Sequence, residues 1–246
     1  MNLVFRRAAV ALLLVGVAAP ASAQAPDAKS IIERYEKEIG VAGGNPYDDV
    51  RSIRTKMHLS TPAMGMEFDM QIDAVLPDRF ESRMTIPGMG EIRSGYDGEV
   101  AWTIDPMQGP RVLQGAELDQ ARNQASDITR PGLSSGLSGA ETVGEDAVDG
   151  RKCWVVKMTQ ISGVIADGCF DVENGLLVKQ TMEQGGSEIE SFFHDYKSFG
   201  PVKMASRIVA RSAGMEQIIT IESVEYDAFD PAALALPAEV KALIRS

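Results

Sequence analysis

Between Met64 and Asp73 the chain alternates apolar and polar residues: Met64-Gly-Met66-Glu-Phe68-Asp-Met70-Gln-Ile72-Asp. A period of two defines a strand, whose successive side chains point to opposite faces. Met64, Met66, Phe68, Met70 and Ile72 therefore share one surface. A strand with one apolar face needs paired neighbours and something to cover that face, so this run commits the chain to a sheet. Three of the five residues are Met, a flexible and polarisable side chain that suits surfaces adapting to varied apolar partners. Two readings follow: an ordinary sheet core that uses Met, or the wall of a compartment for a greasy ligand.

The same pattern recurs along most of the sequence. Ile53, Thr55, Met57 and Leu59 alternate with Arg54, Lys56 and His58, and Phe80, Met84 and Ile86 alternate with Glu81 and Arg83. Ile92 and Tyr96 lead through Asp97-Gly98, a hairpin signal, to Val100, Trp102 and Ile104. Further strand patterns fall between Thr142 and Val224, punctuated by Asp149-Gly150, Asn174-Gly175, Gly185-Gly186 and Gly200-Pro201. About eleven short strands predict one large antiparallel sheet. A sheet of that width must curl, and an open curled sheet needs a plug. Helical spacing of Ile31, Ile32, Tyr35 and Ile39 after Pro26-Asp27 offers one plug. A weaker helix over Gly115 to Ile128, with Leu118, Ala121 and Ala125 on one side, offers a second. Ala238 to Arg245 reads as a short terminal helix. The expected fold is mostly β (α+β), an unclosed half-barrel with helices as plug and lid.

Arg6-Arg7, an apolar run from Ala8 to Ala19, and Ala21-Ser22-Ala23 form a secretory signal with a small-residue cleavage site. The run is too short to span a bilayer. The expected organisation is a signal peptide over 1–23 and one half-barrel domain over 24–246, exported to a bacterial periplasm. Net charge is −11 for the whole chain. An acidic surface argues against nucleic acid, which is held by Lys and Arg at phosphates, and against standing adhesion to anionic lipid. No later stretch is apolar and long enough for stable membrane insertion.

The inventory for catalysis is thin. The two His, His58 and His194, have no spacing that makes a metal site. Gly132-Leu-Ser134-Ser-Gly136 matches G-x-S-x-G, but a nucleophile elbow needs a buried strand before it and a helix after it. Here Arg130-Pro131 precedes it and more Gly and Ser follow, so it reads as a loop. Asp167, Asp171, Glu173 and Asn174 read as a solvated acidic turn without the spacing of a calcium loop. No nucleotide fingerprint is present. No catalytic residue, metal or cofactor is expected. Cys153 and Cys169 lie on two strands joined near Ile161-Ser162-Gly163. A bend centred at Ile161 sets them opposite each other, and an oxidising compartment permits a disulfide worth about 3 kcal/mol if unstrained.

The apolar inventory is richer and concentrated in the N-terminal half. An apolar cavity is expected to be lined by Met64, Met66, Phe68, Met70, Ile72, Phe80, Met84, Ile86, Met89, Trp102 and Ile104. Gly115 to Gly139 interrupts the strand series, and its turn-rich end suits a flap. The segment is expected to act as a lid carrying Leu118, Leu133 and Leu137.

Gly95-Tyr-Asp-Gly-Glu-Val-Ala-Trp102-Thr-Ile-Asp-Pro-Met-Gln-Gly-Pro-Arg111, Val148-Asp-Gly-Arg-Lys-Cys153, Cys169-Phe-Asp-Val-Glu-Asn-Gly-Leu-Leu-Val178 and Gly200-Pro-Val-Lys-Met204 resemble periplasmic proteins of the LolA/LolB superfamily, in particular outer membrane lipoprotein-sorting relatives. Ala205 stands where relatives often have Pro. The resemblance implies an unclosed barrel under helices, an apolar cavity that carries lipoprotein acyl chains or lipid, and envelope donor and acceptor proteins as partners. It brings no catalytic residues. Its lid-closing Arg has Arg54 and Arg111 as candidates. A non-transporting sensor or interaction module on the same fold is the alternative, and a hydrolase using Ser134 a third reading. Protein recovered from the periplasm should have the intact mass of a chain starting near Gln24; retention of residues 1–23 would overturn the signal assignment.

Overall fold

The computed structural model describes residues 25–244; the expected signal peptide lies outside them. Thirteen strands form one antiparallel sheet. In chain order they are β1 (Ser52–Thr61), β2 (Met66–Val75), β3 (Arg79–Ile86), β4 (Gly90–Tyr96), β5 (Ala101–Asp105), β6 (Gly109–Leu113), β7 (Leu137–Val148), β8 (Arg151–Gln160), β9 (Ile165–Asp171), β10 (Leu177–Gln184), β11 (Ser187–Phe199), β12 (Val202–Ser212) and β13 (Met215–Tyr226). The spatial order is β6-β5-β4-β3-β2-β1-β13-β12-β11-β10-β9-β8-β7. Every pairing is a hairpin except that of β1 with β13, which joins the two halves. The sheet curls without closing, as the sequence suggests, and has thirteen strands where about eleven were expected. Among the additions is β6, carried by Gly109-Pro110, a pair that looks like pure turn.

Three helices complete the chain: α1 (Ala28–Ile39), α2 (Ala116–Thr129) and α3 (Ala238–Ile244). Asp27 caps α1, its carboxylate accepting from the backbone N–H (3.0 Å) and hydroxyl (2.7 Å) of Ser30. Gly40 ends the helix at φ 85°. α1 packs Ile31 and Ile32 on Val156, Met158, Phe170 and Leu177. Its partly buried Tyr35 packs edge-on against Phe170, and desolvation pushes the Tyr35 hydroxyl up to about 12. Arg34 straps the same helix to the β9–β10 turn, donating to the carbonyls of Val172 (2.9 Å) and Glu173. Gly175 is required in that turn: it sits at φ +75°, and a Cβ there would meet the Arg34 side chain at 2.9 Å. α2 packs Ala121 and Ala125 on Ile53, Ala74, Phe80, Tyr96 and Ala101. α3 lies against β6, one of the two free edges of the sheet.

The two cysteines are bridged, with Cα atoms 5.4 Å apart. They are diagonal neighbours rather than directly opposite, because Cys153 pairs with Asp171 and Cys169 with Val155. The hairpin is centred one residue beyond Ile161. The bridge packs with Val148 and Val178, away from the residues that α1 covers. The expected flap is only partly loop. β7 begins at Leu137, so Gly139 belongs to a strand. The backbone N–H groups of Leu133 (3.0 Å) and Ser134 (2.8 Å) and the Ser134 hydroxyl all donate to the Glu36 carboxylate on α1. Replacing Asp27 by Ala removes the side-chain acceptor at the start of α1 and should cost about 1 kcal/mol in urea unfolding; an unchanged midpoint would show that the cap contributes nothing.

Candidate functional site

Cross-strand register arranges the inner face, on which α1 and α2 pack, into successive rungs running across β1 to β6. The first contains Ile53, Ala74, Phe80, Tyr96, Ala101 and Leu113. This rung lies in the core beneath α2. The second contains Thr55, Ile72, Ser82, Ser94, Thr103 and Arg111. Four of its six members carry hydroxyls, and those of Ser82 and Ser94 bond each other at 2.7 Å. The third rung is Met57, Met70, Met84 and Ile92, extended across the join by Ile221 on β13. In the fourth, Leu59 lies between Phe68 and Ile219, with Ile86 next in register on β3. Met66 follows opposite Thr61.

The helices cover the first rung and not the third and fourth. α2 packs on β2, β4 and β5, and α1 on β7 and β12. Met57, Met66, Phe68, Met70, Met84, Ile86 and Ile92 are half-buried, and none joins a buried core cluster. Leu59 and Ile221 are buried, and the partly exposed apolar side chains around them in contiguous rungs make an apolar wall that neither α1 nor α2 covers. An unpartnered wall of this kind marks an interaction or ligand surface.

At the hydroxyl rung a cavity of about 230 Å³ opens between the sheet and α2. Phe80, Ser94, Gly95, Trp102, Thr103, Arg111 and Leu113 border it on the sheet side, and Glu117, Gln120, Ala121 and Gln124 on the helix side. Arg111 and Glu117 clasp each other across it in a two-point ion pair at 2.7 and 3.0 Å. The clasp holds the Glu117 carboxyl below its usual range and the Arg111 guanidinium above its own. It is the one side-chain ion pair joining α2 to a strand among the described residues.

Of the residues expected to line the cavity, Met66, Phe68, Met70, Ile72, Phe80, Met84 and Ile86 share the inner face, Phe80 deep under α2 and the others along the second to fifth rungs. Met64 and Met89 are more than half exposed in turns, Met64 in a short 3-10 turn before β2 and Met89 between β3 and β4. Trp102 and Ile104 have the opposite strand parity, though Trp102 still borders the cavity under α2. The β4–β5 hairpin pairs Tyr96 with Ala101, so the face carried by even-numbered residues on β4 passes to odd-numbered ones on β5. Trp102 instead covers Gly95, where a Cβ would lie 2.8 Å from the indole and 2.6 Å from the Phe80 carbonyl. Its indole stacks under the Arg93 guanidinium, 5.6 Å away. Of the expected lid residues, Leu118 packs on the core below α2, while Leu133 and Leu137 pack on the α1 cluster. The hydroxyl rung and Ile92, Ile219 and Ile221 went unrecognised in the sequence; the pairing of β1 with β13 brings the last two in.

The remaining sequence motifs resolve as structural. The Ser134 hydroxyl donates to Glu36. Asp171 is buried rather than solvated: it accepts the N–H groups of Glu173 and Asn174 at 2.8 and 3.0 Å, closing its own turn, and pairs with Arg151 at 3.3 Å. His58 bonds Asp69 at 2.9 Å, which raises its pKa. Among the described residues no group of three or more His, Cys, Asp or Glu is placed to hold a metal, and no helix is long and apolar enough to cross a membrane.

This architecture is a LolA-like fold. Neither a family model nor a curated protein matches the sequence. Solved structures do. A LolA superfamily protein from Nitrosomonas europaea aligns over 86% of this chain and 99% of its own, at TM-score 0.59 and 15% identity. A DUF1329 family protein from Desulfovibrio piger aligns over 85% and 99%, at 0.56 and 12%. A domain assigned to outer membrane lipoprotein sorting, from Vibrio parahaemolyticus, aligns over 89% and 98%, at 0.55 and 11%. At these identities the likeness defines the fold; the site must be argued from its own residues.

Because the Arg111–Glu117 clasp is half exposed, salt should screen it. Hydrogen exchange in the first turns of α2 should quicken in Glu117→Gln and in wild type at high salt, while β1 and β2 amides stay slow. Below the Glu117 pKa the carboxylate is protonated and the clasp is lost, so wild-type α2 should also loosen as pH falls through that value. Unchanged α2 exchange in the variant would show that the clasp does not hold the helix.

Proposed function

We propose that this protein is a periplasmic carrier that shelters the acyl chains of a lipid or lipoprotein on its inner face. The observation that carries the reading is the partly exposed apolar wall of Met57, Met70, Met84 and Ile92 with Phe68 and Ile86 beside it, built around buried Leu59. A chain of about sixteen carbons costs on the order of 13 kcal/mol to leave in water, at ~0.8 kcal/mol per CH₂. A shuttle must remove most of that cost and still release its cargo. Met-rich walls suit the task because they repack around different shapes without one preferred arrangement.

The neighbouring hydroxyl rung and the cavity under α2 suit the polar end of the same amphiphile. Ser94, Thr103, Gln120 and Gln124 offer neutral donors and acceptors there, such as an ester or amide linkage needs. α2 acts as the lid. Its C-terminal end is fixed by Ile128 on the core and by buried Thr129, whose hydroxyl donates to the Pro77 carbonyl at 2.7 Å, while its first turns rest on Leu118, Ala121 and the half-exposed Arg111–Glu117 clasp. Opening of that first part would take place below the free energy of global unfolding. The loop after α2, anchored three times by Glu36, serves as the fixed end of that lid. The reading assigns no catalytic residue, and the fold shared with a LolA superfamily protein and a lipoprotein-sorting domain supports it.

The test is extraction of lipid from the purified protein, followed by uptake of an apolar fluorescent probe such as N-phenylnaphthylamine. Met70→Lys places a charge in the middle of the third rung and should abolish probe uptake. Met70→Ala should cost less stability than the roughly 2–5 kcal/mol of a filled core site, because the wall already lacks partners on one side. A large stability loss with normal probe uptake would mean that the rungs are ordinary core. Absence of both lipid and uptake would leave the fold as an interaction module.

A further inference from the structure

The opposite end of the sheet carries a second feature, which shares no residue with the apolar wall. Where the segment 45–51, the β2–β3 turn and the end of α2 meet, they leave a cleft of about 610 Å³. Tyr47, Val50, Val75, Leu76, Pro77 and Pro231 supply its apolar parts. Three arginines line it, Arg51, Arg79 and Arg130, against a single carboxylate, Asp48. Arg51 is loosely held by Asp227 at 3.6 Å. The guanidinium groups of Arg79 and Arg130 have no hydrogen-bonding or ionic partner among the described residues.

That concentration of cations is out of character for the molecule. The chain carries 24 Lys and Arg against 35 Asp and Glu, so chance placement puts an arginine near an acid. Elsewhere on this sheet it does: Arg54 meets Asp73, Arg83 and Arg93 meet Glu81, and Arg211 meets Glu216. Only a local cluster can attract an anion against a net negative field. Guanidinium groups present paired N–H donors that match oxyanions in two-point bonds. The volume lies in the range of small-molecule pockets, which is generous for a bare inorganic ion and right for an anion carrying an organic group. The apolar patches beside the arginines would contact that group.

We propose that the Arg51–Arg79–Arg130 cleft binds the oxyanion of a phosphoester, with Arg79 and Arg130 as the forks that grip it. The core rung of Ile53, Ala74, Phe80, Tyr96 and Ala101 lies between this cleft and the Met wall, so the phosphoester site is separate from the acyl site. The same chemistry is offered by a soluble organic phosphate and by the headgroups of an anionic bilayer, and the experiment separates the two.

Full-length exported protein would be titrated calorimetrically with sn-glycerol 3-phosphate, inorganic phosphate and glycerol. It would also be sedimented with vesicles of phosphatidylglycerol mixed into phosphatidylcholine, and of phosphatidylcholine alone. Glycerol 3-phosphate binding above inorganic phosphate, with none for glycerol, supports the site with a soluble source. Sedimentation with the phosphatidylglycerol vesicles alone supports it with a membrane source. In either case Arg79→Gln and Arg130→Gln should each weaken binding roughly tenfold, the order expected for one charge-assisted hydrogen-bonding group. Arg79→Lys should recover only part of the loss if the fork geometry matters. Thermal melts of the variants should match wild type, since both side chains lack protein partners. Binding of none of the phosphate probes, or equal binding by wild type and the Gln variants, would overturn the proposal. Apolar probe uptake, read on the same samples, is expected to be unaffected, so loss of the phosphoester site and loss of the carrier reading give different patterns.

Discussion

Register is the constraint on which the rest of this molecule depends. Side chains alternate with a period of two, so each pairing fixes which residues reach the inner face. Twelve antiparallel pairings carry that choice from β6 to β7 without a break. One pairing, β1 with β13, is between strands remote in sequence, and it brings Ile219 and Ile221 beside Leu59 and Met57. A register shift between Lys56 and Met57 lies in that same pairing. Such a bulge strengthens local twist and bends the strand. The bend falls where the helix-covered part of the inner face gives way to the uncovered part.

The inner face is thereby divided rather than uniform. Under α2 the side chains are Ile, Ala, Phe and Tyr, and they pack with small residues of the helix. One rung further on, Ser, Thr and Arg interrupt the apolar surface. Beyond them the face turns apolar again and becomes Met-rich. A polar rung inside an apolar face costs desolvation unless its groups are bonded or wet. Two of its hydroxyls bond each other, and Thr103 donates to the Arg93 carbonyl at 3.2 Å. The rung separates a filled core from an open wall, so the wall can change its contacts without disturbing the packing that anchors α2.

The sheet, its curl, α1 and α2 were legible because they rest on local signals: alternation, turn dipeptides, the Asp27 cap and the spacing of Ile31, Ile32, Tyr35 and Ile39. The inner-face residues of β2 and β3 were legible for the same reason. Trp102 and Ile104 were misplaced because facing was judged by shared hydrophobicity rather than by parity through the hairpin. Counting from Tyr96 across the turn puts Ala101 and Thr103 on the inner face and gives Trp102 the opposite parity. Gly95 was the missed signal: a glycine in mid-strand marks a close approach, here by the indole. The motif around it is structural throughout. Tyr96 donates to the Gly98 carbonyl at 2.7 Å, and Asp97 accepts from the N–H groups of Glu99 and Val100 at 3.0 and 2.7 Å. The contributions of β13 were illegible because no local pattern encodes a pairing across some 160 residues.

The outer face of the same strands is built on the opposite principle. Arg54 holds Asp73 in a two-point pair at 2.7 and 2.9 Å, and Gln71 adds a bond at 3.0 Å. Arg83 and Arg93 both bond one oxygen of Glu81 at 2.8 Å. Asp73 and Glu81 are 3% and 4% exposed, so the arginines and their neighbours cover the carboxylates almost completely. Arg54 is itself stacked on Phe229, and Arg93 on Trp102. Pairs buried to this degree are weak evidence for net stability, since desolvation offsets the attraction. They are specific, however: sliding β1 past β2, or β3 past β4, by two residues keeps the apolar faces matched but takes Asp73 away from Arg54 or Glu81 away from Arg93. The ladder therefore penalises the one slip that the apolar pattern tolerates. A Met-rich inner face, which discriminates poorly among its own contacts, needs its register fixed by something else, and the charged outer face of the same strands supplies it.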